Sequence, residues 1–246
     1  MKRIKLTVAY DGTAYCGWQI QPNGITVEEV LNREISALTG EQVRVTGASR
    51  TDAGVHAEGN VAVFDTESTI PPERMAYALN CRLPEDIVVT ESTEVPGDWH
   101  PRYQESVKTY EYRILNREMP DPVHRLTSYH VSYPLNVESM REAAAYLKGR
   151  HDFKSFCSAH TDVKDTVRTV YALDIEKEGD MITVRISGNG FLYNMVRIIV
   201  GTLIGVGRGA YSPEKVKDIL EAADRREAAA TAPAKGLVLK GILYGS

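Results

Sequence analysis

Thr26-Val-Glu-Glu-Val-Leu-Asn-Arg-Glu-Ile-Ser-Ala-Leu-Thr-Gly40 is the segment on which the fold turns. Its apolar residues Val27, Val30, Leu31, Ile35 and Leu38 recur at helical spacing and fall on one face. Thr26 offers an N-cap oxygen, Glu29 the third-position partner of a capping box, and Gly40 a residue able to end the helix. Alternating segments at about 3–10 and 41–47 predict strands on either side, and another strand is expected over 60–66. Pro71-Pro72 opens a second helix through Leu79, and Asp86 to Val95 reads as a strand. The resulting order, β-α-β-β-α-β, is the split βαβ of ferredoxin-like domains.

Working outward, the second half follows the same plan with additions. Val107 to Leu115 and Ser128 to Tyr133 read as strands, and Asn136 caps a helix to Leu147. Arg168 to Ile175 and Met181 to Ile186 form a hairpin around Glu178-Gly179-Asp180. Helices are expected over 191–206 and 213–223, then a strand over 236–244. The expected class is α+β, with two ferredoxin-like halves and mixed, mainly antiparallel sheets. Duplication rests on element order alone, because the halves share no sequence repeat. The join falls in the Pro-, Gly- and polar-rich stretch 96–105, giving an N-terminal domain of 1–104 and a C-terminal domain of 105–246.

The 246 residues are 43% hydrophobic, enough for one large domain or two smaller ones with a buried core. The net charge of −4 argues against a uniformly basic nucleic-acid binder. It hides an asymmetry: residues 1–105 carry 9 basic and 16 acidic side chains, a net of −7, and residues 106–246 carry 20 and 17, a net of +3. Cys16, Cys81 and Cys157 are scattered and lack a C-x-x-C pair, which argues against a disulfide framework or a thiolate zinc site. The first residues have no signal-peptide core. The most apolar stretch, Phe191 to Val206, contains Asn194 and Arg197 and is too short to cross a bilayer. A cytoplasmic protein is expected.

The densest chemical cluster is Gly47-Ala-Ser-Arg50-Thr-Asp52-Ala-Gly-Val-His-Ala57, between two predicted strands. Arg50 stands two residues before Asp52, and a neighbouring guanidinium keeps a carboxyl ionised. An ionised carboxylate on a rigid loop can act as a covalent nucleophile. The ordinary alternative is a polar turn with a surface ion pair. Other stretches mix aromatic and cationic residues: Tyr10-Asp-Gly12, Gly17-Trp-Gln19, His100-Pro-Arg102-Tyr103, Lys108-Thr-Tyr110-Glu-Tyr112-Arg113 and Gly188 to Arg197. That mixture suits stacking on a base while gripping its phosphate. Tyr110 and Tyr112 also fit ordinary strand packing, since they share one face. Arg197, among Met195, Val196, Ile198 and Ile199, calls for an anionic partner. Lys148, Arg150, Lys154, Lys164 and Arg168 form a basic group that faces RNA or simply solvent.

Two other motifs fail on context. His56-Ala-Glu58 matches half of a zinc deaminase signature, but the P-C-x-x-C half is missing. Gly205 to Ala210 fits G-x-G-x-x-A but follows a helix instead of a strand. A tandem RNA-binding module without catalysis is a further alternative. It would need an RNP-type aromatic run, which is absent, and it has no use for a carboxylate beside a phosphate.

The run from Gly47 to Ala57 closely resembles the active-site motif of the tRNA pseudouridine synthase A family. Tyr10-Asp-Gly12, Gly17-Trp-Gln19, Asn80 to Pro84, His100 to Tyr103, Tyr110-Glu-Tyr112, His151-Asp-Phe153, Arg168 and Phe191 to Gly201 fall in that family's order. The resemblance implies a pseudouridine synthase core with a central cleft, acting as a homodimer without metal or organic cofactor. It implies isomerisation of uridines 38, 39 and 40 in the tRNA anticodon stem-loop. Asp52 matches the nucleophile, and Arg50 the arginine that holds the flipped nucleotide and its phosphate. Tyr110 matches the tyrosine that stacks on the uracil and is a candidate base for the C5 proton. Arg197 matches the arginine paired with the catalytic carboxylate, and Arg102 is expected to contact RNA.

Overall fold

The helix predicted from Thr26 to Gly40, α1, spans Val27–Thr39 in the computed structural model, which describes residues 1–158, 163 and 165–245. Thr26 Oγ1 accepts the Glu29 N–H at 3.3 Å. Gly40, at φ 74°, donates its N–H to the Ser36 carbonyl and closes the helix in the left-handed conformation that glycine adopts without strain. Val27, Val30, Leu31 and Ile35 are buried, whereas Leu38 at the helix end is only partly so.

The chain divides into two compact units. In the first, β1 (Lys2–Tyr10) precedes α1, and β2 (Thr46–Gly47), β3 (His56–Thr66), α2 (Met75–Asn80) and β4 (Ile87–Val95) follow. β1 lies between β3 and β4, antiparallel to both, and β2 pairs antiparallel with β3. The sheet order β4-β1-β3-β2 is that of a split βαβ. Ile4, Leu6 and Val8 alternate inward along β1 and are fully buried, as a half-buried strand requires.

The strand expected over 41–47 shrinks to Thr46–Gly47. The cause lies in α1, whose side chains capture the main chain first. Val43 N donates to Ser36 Oγ at 3.0 Å and Val45 N to Asn32 Oδ1 at 2.7 Å, so neither joins the sheet ladder through that group.

The second unit contains β5 (Ser106–Asn116), β6 (Tyr129–Val131), α3 (Val137–Ala145), β7 (Gly149–Asp152), β8 (Val167–Glu178), β9 (Met181–Gly188), α4 (Met195–Gly207) and α5 (Lys215–Ala222). β9 lies antiparallel between β5 and β8, β7 extends the sheet beyond β8, and β6 pairs parallel with β5. The series β5, α3, β8, β9, α4 follows the order of β1, α1, β2, β3, α2, while β6 and β7 are additions. Asn136 caps α3 by accepting the Ser139 N–H at 3.2 Å. α4 starts later than expected, because Asn194 sits at φ 60° and holds residues 191–194 out of the helix.

The final strand, β10 (Leu237–Tyr244), pairs parallel with β3 through Val238–His56 and Leu239–Ala57. From Val238 onward the chain therefore belongs with the first unit, which a single cut at residue 104 does not describe. Both units mix helices with mainly antiparallel strands, which is the α+β class. Among the described residues, no helix is long and apolar enough to cross a membrane.

Candidate active site

The loop from Ala48 to Val55 connects β2 to β3 and is anchored on both sides of Asp52. On the upstream side, Ala48 N donates to the Val61 carbonyl at 2.7 Å. Asn60, fully buried in β3, then clamps Ser49: Oδ1 accepts the Ser49 N–H at 3.2 Å and Nδ2 donates to the Ser49 carbonyl at 3.0 Å. Thr51 turns inward, where its hydroxyl lies 2.7 Å from that of Tyr10. Its carbonyl accepts the Trp18 N–H at 3.1 Å. On the downstream side, Gly54 N donates to the Tyr15 carbonyl and Val55 N to the Asp52 carbonyl. Thr51 and Val55 are buried, and Asp52 between them is half-buried. A carboxylate is thus presented from a backbone that has little freedom to move.

Two glycines set how closely the neighbouring segments approach this loop. Gly17, at φ 83°, lies against it so tightly that a Cβ there would stand 2.6 Å from the Thr51 carbonyl oxygen. A Cβ on Gly12 would stand 2.0 Å from the Val55 carbonyl oxygen. Gly12 N also donates to His56 Nδ1 at 3.1 Å, and His56 Nδ1 lies 3.0 Å from Asp11 Oδ1. Burial pushes the Asp11 carboxyl up, but hydrogen bonds from the Thr13 hydroxyl and N–H, with His56 nearby, leave it below its ordinary value. The Tyr10-Asp-Gly12 and Gly17-Trp-Gln19 stretches are therefore structural partners of the Asp52 loop.

Arg50 and Arg102 come together. Both line a groove of about 810 Å³ with Gln19, Glu28 and Arg44. Arg102 Nε donates to the Gly47 carbonyl at 2.7 Å, which ties the 96–105 segment to the base of the loop. Desolvation and then repulsion from Arg50 lower the Arg102 pKa. His100 and Tyr103, on either side of Arg102, stack at 4.0 Å between ring centroids.

In the second unit, Tyr110 is 8% exposed on β5 and meets Phe191 edge to face at 5.3 Å. Arg197 enters from α4, and within its own unit Nε donates to the Ala232 carbonyl at 2.8 Å and Nη1 to Asn194 Oδ1 at 2.7 Å. The left-handed Asn194 thus both delays α4 and orients Arg197. Tyr112, fully buried, donates to the Pro233 carbonyl at 2.7 Å, and burial drives its hydroxyl pKa strongly upward. Of the basic group, Lys148 pairs with Asp174 at 3.2 Å, and Arg168 donates to the Asp165 and Val167 carbonyls. Arg150 and Lys154 are exposed. Lys164 lies outside the described residues. Among the described residues, no group of three His, Cys, Asp or Glu side chains could hold a metal ion.

Asn60, which clamps the loop, belongs to none of the motifs legible in the sequence. A polar residue in the run Gly59-Asn-Val-Ala-Val-Phe64 was the available signal, since a buried amide in a strand must find partners.

The family model described as tRNA pseudouridine synthase matches residues 6–104 and 143–245. A relative from Thermoanaerobacter pseudethanolicus, named tRNA pseudouridine synthase A, is 51% identical over 244 residues, covering 99% of this chain and 100% of the relative. One of the same name from Brevibacillus brevis is 49% identical over 244 residues, with the same coverage.

Proposed function

We propose, for a chain that belongs to the tRNA pseudouridine synthase family, that Asp52 is the nucleophile that isomerises uridines 38, 39 and 40 of the tRNA anticodon stem-loop. The observation that carries this reading is the mounting of the Asp52 loop by Asn60, Tyr10 and Trp18. A carboxylate that must meet one atom of an extruded nucleotide gains most from a mount that cannot drift.

The chemistry follows from the substrate. A stacked uridine is flipped out at a cost of about a few kcal/mol. Tyr110 is assigned as the aromatic platform for the uracil, held upright by Phe191. Arg50 and Arg102 are assigned to the phosphates, and Arg197 to the charge of the nucleophile. The N1–C1′ bond breaks after Asp52 attacks C1′ or adds to C6. The uracil turns, C5 bonds to C1′, the bond to Asp52 breaks and returns its carboxylate, C5 gives up its proton and N1 gains one. No net oxidation or reduction occurs, so the residues named need supply only a nucleophile, positive charge and a base. Tyr110 is the candidate base. A tRNA substrate agrees with a cytoplasmic enzyme, and the reading includes a homodimer.

Tritium release from tRNA labelled at uridine C5 tests the assignment. Wild type should release the label, and Asp52→Asn should release essentially none while still binding RNA. Equal release from both would remove Asp52 from the mechanism.

A further inference from the structure

We infer that the groove formed by Arg44, Arg50 and Arg102 holds backbone phosphates of the substrate RNA, with Arg44 as a positioning residue that contributes affinity and takes no part in the chemistry. The inference rests on the reading of this chain as an RNA-modifying enzyme and deepens it. Arg44 belongs to no motif singled out in the sequence, and the structure is what places it with the other two arginines.

The groove lies wholly within the first unit and has a consistent chemistry. Three guanidiniums line it, against one carboxylate, Glu28. Glu28 is already engaged, accepting the Ile20 N–H at 2.9 Å through Oε2. Arg44 and Arg50 are exposed, and among the described residues neither guanidinium meets a hydrogen-bond or ion-pair partner. Arg102 spends one N–H on the Gly47 carbonyl and is turned by it toward the groove. Gln19, Asn32 and Gln42 add amide side chains to the lining. Such a set fits an anionic chain with ribose and base edges at its side.

Position along the chain links the groove to the reaction. Arg50 is two residues from Asp52, so their Cα atoms lie within about 7 Å. RNA that delivers a nucleotide to Asp52 brings its neighbouring phosphates past Arg50. Arg44 is fixed where it stands because Val43 and Val45 on either side are buried and both are tied to α1.

Arg44→Ala, Arg44→Lys and a control, Arg33→Ala, separate the possibilities. Arg33 pairs with Glu34 and is absent from the groove lining. KM and kcat for tritium release, and Kd for tRNA between 50 and 200 mM salt, are measured for each. A guanidinium that neutralises one phosphate contributes about one unit to the slope of log K against log salt. Arg44→Ala should raise KM and Kd about 5- to 10-fold, leave kcat unchanged and flatten that slope by about one. Arg44→Lys should recover most of the affinity, and Arg33→Ala should match wild type. An unchanged slope in a folded Arg44→Ala, or a fall in kcat at constant KM, would overturn the inference. Arg44-dependent, salt-sensitive binding without turnover in wild type would support the groove and sink the catalytic reading instead.

Discussion

Asn60→Ala tests whether the loop mount is what makes Asp52 useful. The amide is fully buried and holds both main-chain groups of Ser49, with Nδ2 also 3.4 Å from the Tyr10 hydroxyl. A buried polar group deprived of its partner costs about 1–3 kcal/mol. The two Ser49 groups therefore set an expected loss of about 2–6 kcal/mol, the lower end applying if water enters the space vacated by the amide. Urea unfolding should show this as a lower midpoint at constant m. The kinetic effect should exceed what partial unfolding explains, since a displacement of about 1 Å in a reacting group costs on the order of 100-fold. At a temperature where the variant is fully folded, kcat for tritium release should fall about 10- to 100-fold, with Kd for RNA within about 3-fold of wild type. Asn60→Asp retains the shape but sets a carboxylate oxygen against the Ser49 carbonyl. Burial raises that carboxyl's pKa, so its stability deficit should shrink as pH falls and the acid regains a donor. A destabilised Asn60→Ala that keeps full turnover would refute the reasoning, because it would show that Asp52 works without its mount.

Gly12→Ala probes the same loop from the opposite side: its Cβ would stand 2.0 Å from the Val55 carbonyl oxygen, so one backbone must retreat. Overpacking of this kind costs about 1–3 kcal/mol, and kcat should fall at least 10-fold, whereas unchanged thermal unfolding and kcat would show that the contact yields freely. Tyr110→Phe keeps the ring against Phe191, so RNA binding should hold while tritium release falls about 100-fold; retained release would limit Tyr110 to stacking. Arg3 grips Asp65 with two hydrogen bonds, at 2.8 and 2.7 Å, and that bond is the main reason the Asp65 carboxyl sits below its ordinary value. Its stabilisation, about 0.5–1 kcal/mol for a part-exposed pair, is present above the unfolded carboxyl pKa near 3.9 and is lost as pH falls through the lower folded value. Asp65→Asn should therefore be less stable than wild type at pH 7, and the gap should close as pH falls through the lowered folded value; a constant gap across urea titrations from pH 2 to 7 would contradict this linkage.

Legibility in the sequence followed how local each determinant is. α1 was readable because both of its ends carry their own chemistry, Thr26 at the start and Gly40 at the finish. β2 was overestimated because the groups that capture Val43 and Val45 sit 7 and 13 residues away, on a helix whose period says nothing of its polar face. β7 went unread because Gly149–Asp152 is four residues long and lacks inward alternation. β10 could be read as a strand, but no periodicity tells which neighbour a strand will choose, and it chose β3. The site divides in the same way. Asp52 stood out in a dense glycine-bearing run, whereas Asn60 serves it from within an apolar strand. Arg44, between Val43 and Val45, reads as an outward strand residue, and only the folded chain shows that it shares a groove with Arg50 and Arg102.

The acidic total of the first half can be reconciled with an RNA partner residue by residue. Several of its carboxylates are occupied by donors from their own unit. Asp65 holds Arg3, Glu34 lies beside Arg33 and Arg82, and Asp86 accepts the Tyr15 hydroxyl. Glu41 accepts the Thr66 hydroxyl and the Glu67 N–H, and Glu58 pairs with Lys240. These bonds do not cancel the charge, but they fix where it lies. At physiological salt a charge is screened beyond about 8 Å, so a phosphate in the groove responds to the guanidiniums beside it and little to carboxylates on other faces. Three arginines against one engaged glutamate make that groove locally cationic within a stretch, residues 1–105, of net −7. An acidic protein can therefore present a cationic track to RNA, provided its other acids lie outside the groove. If that groove holds RNA phosphates as inferred, its three guanidiniums together set a slope of about three in log K against log salt, with no support from the charge of the whole.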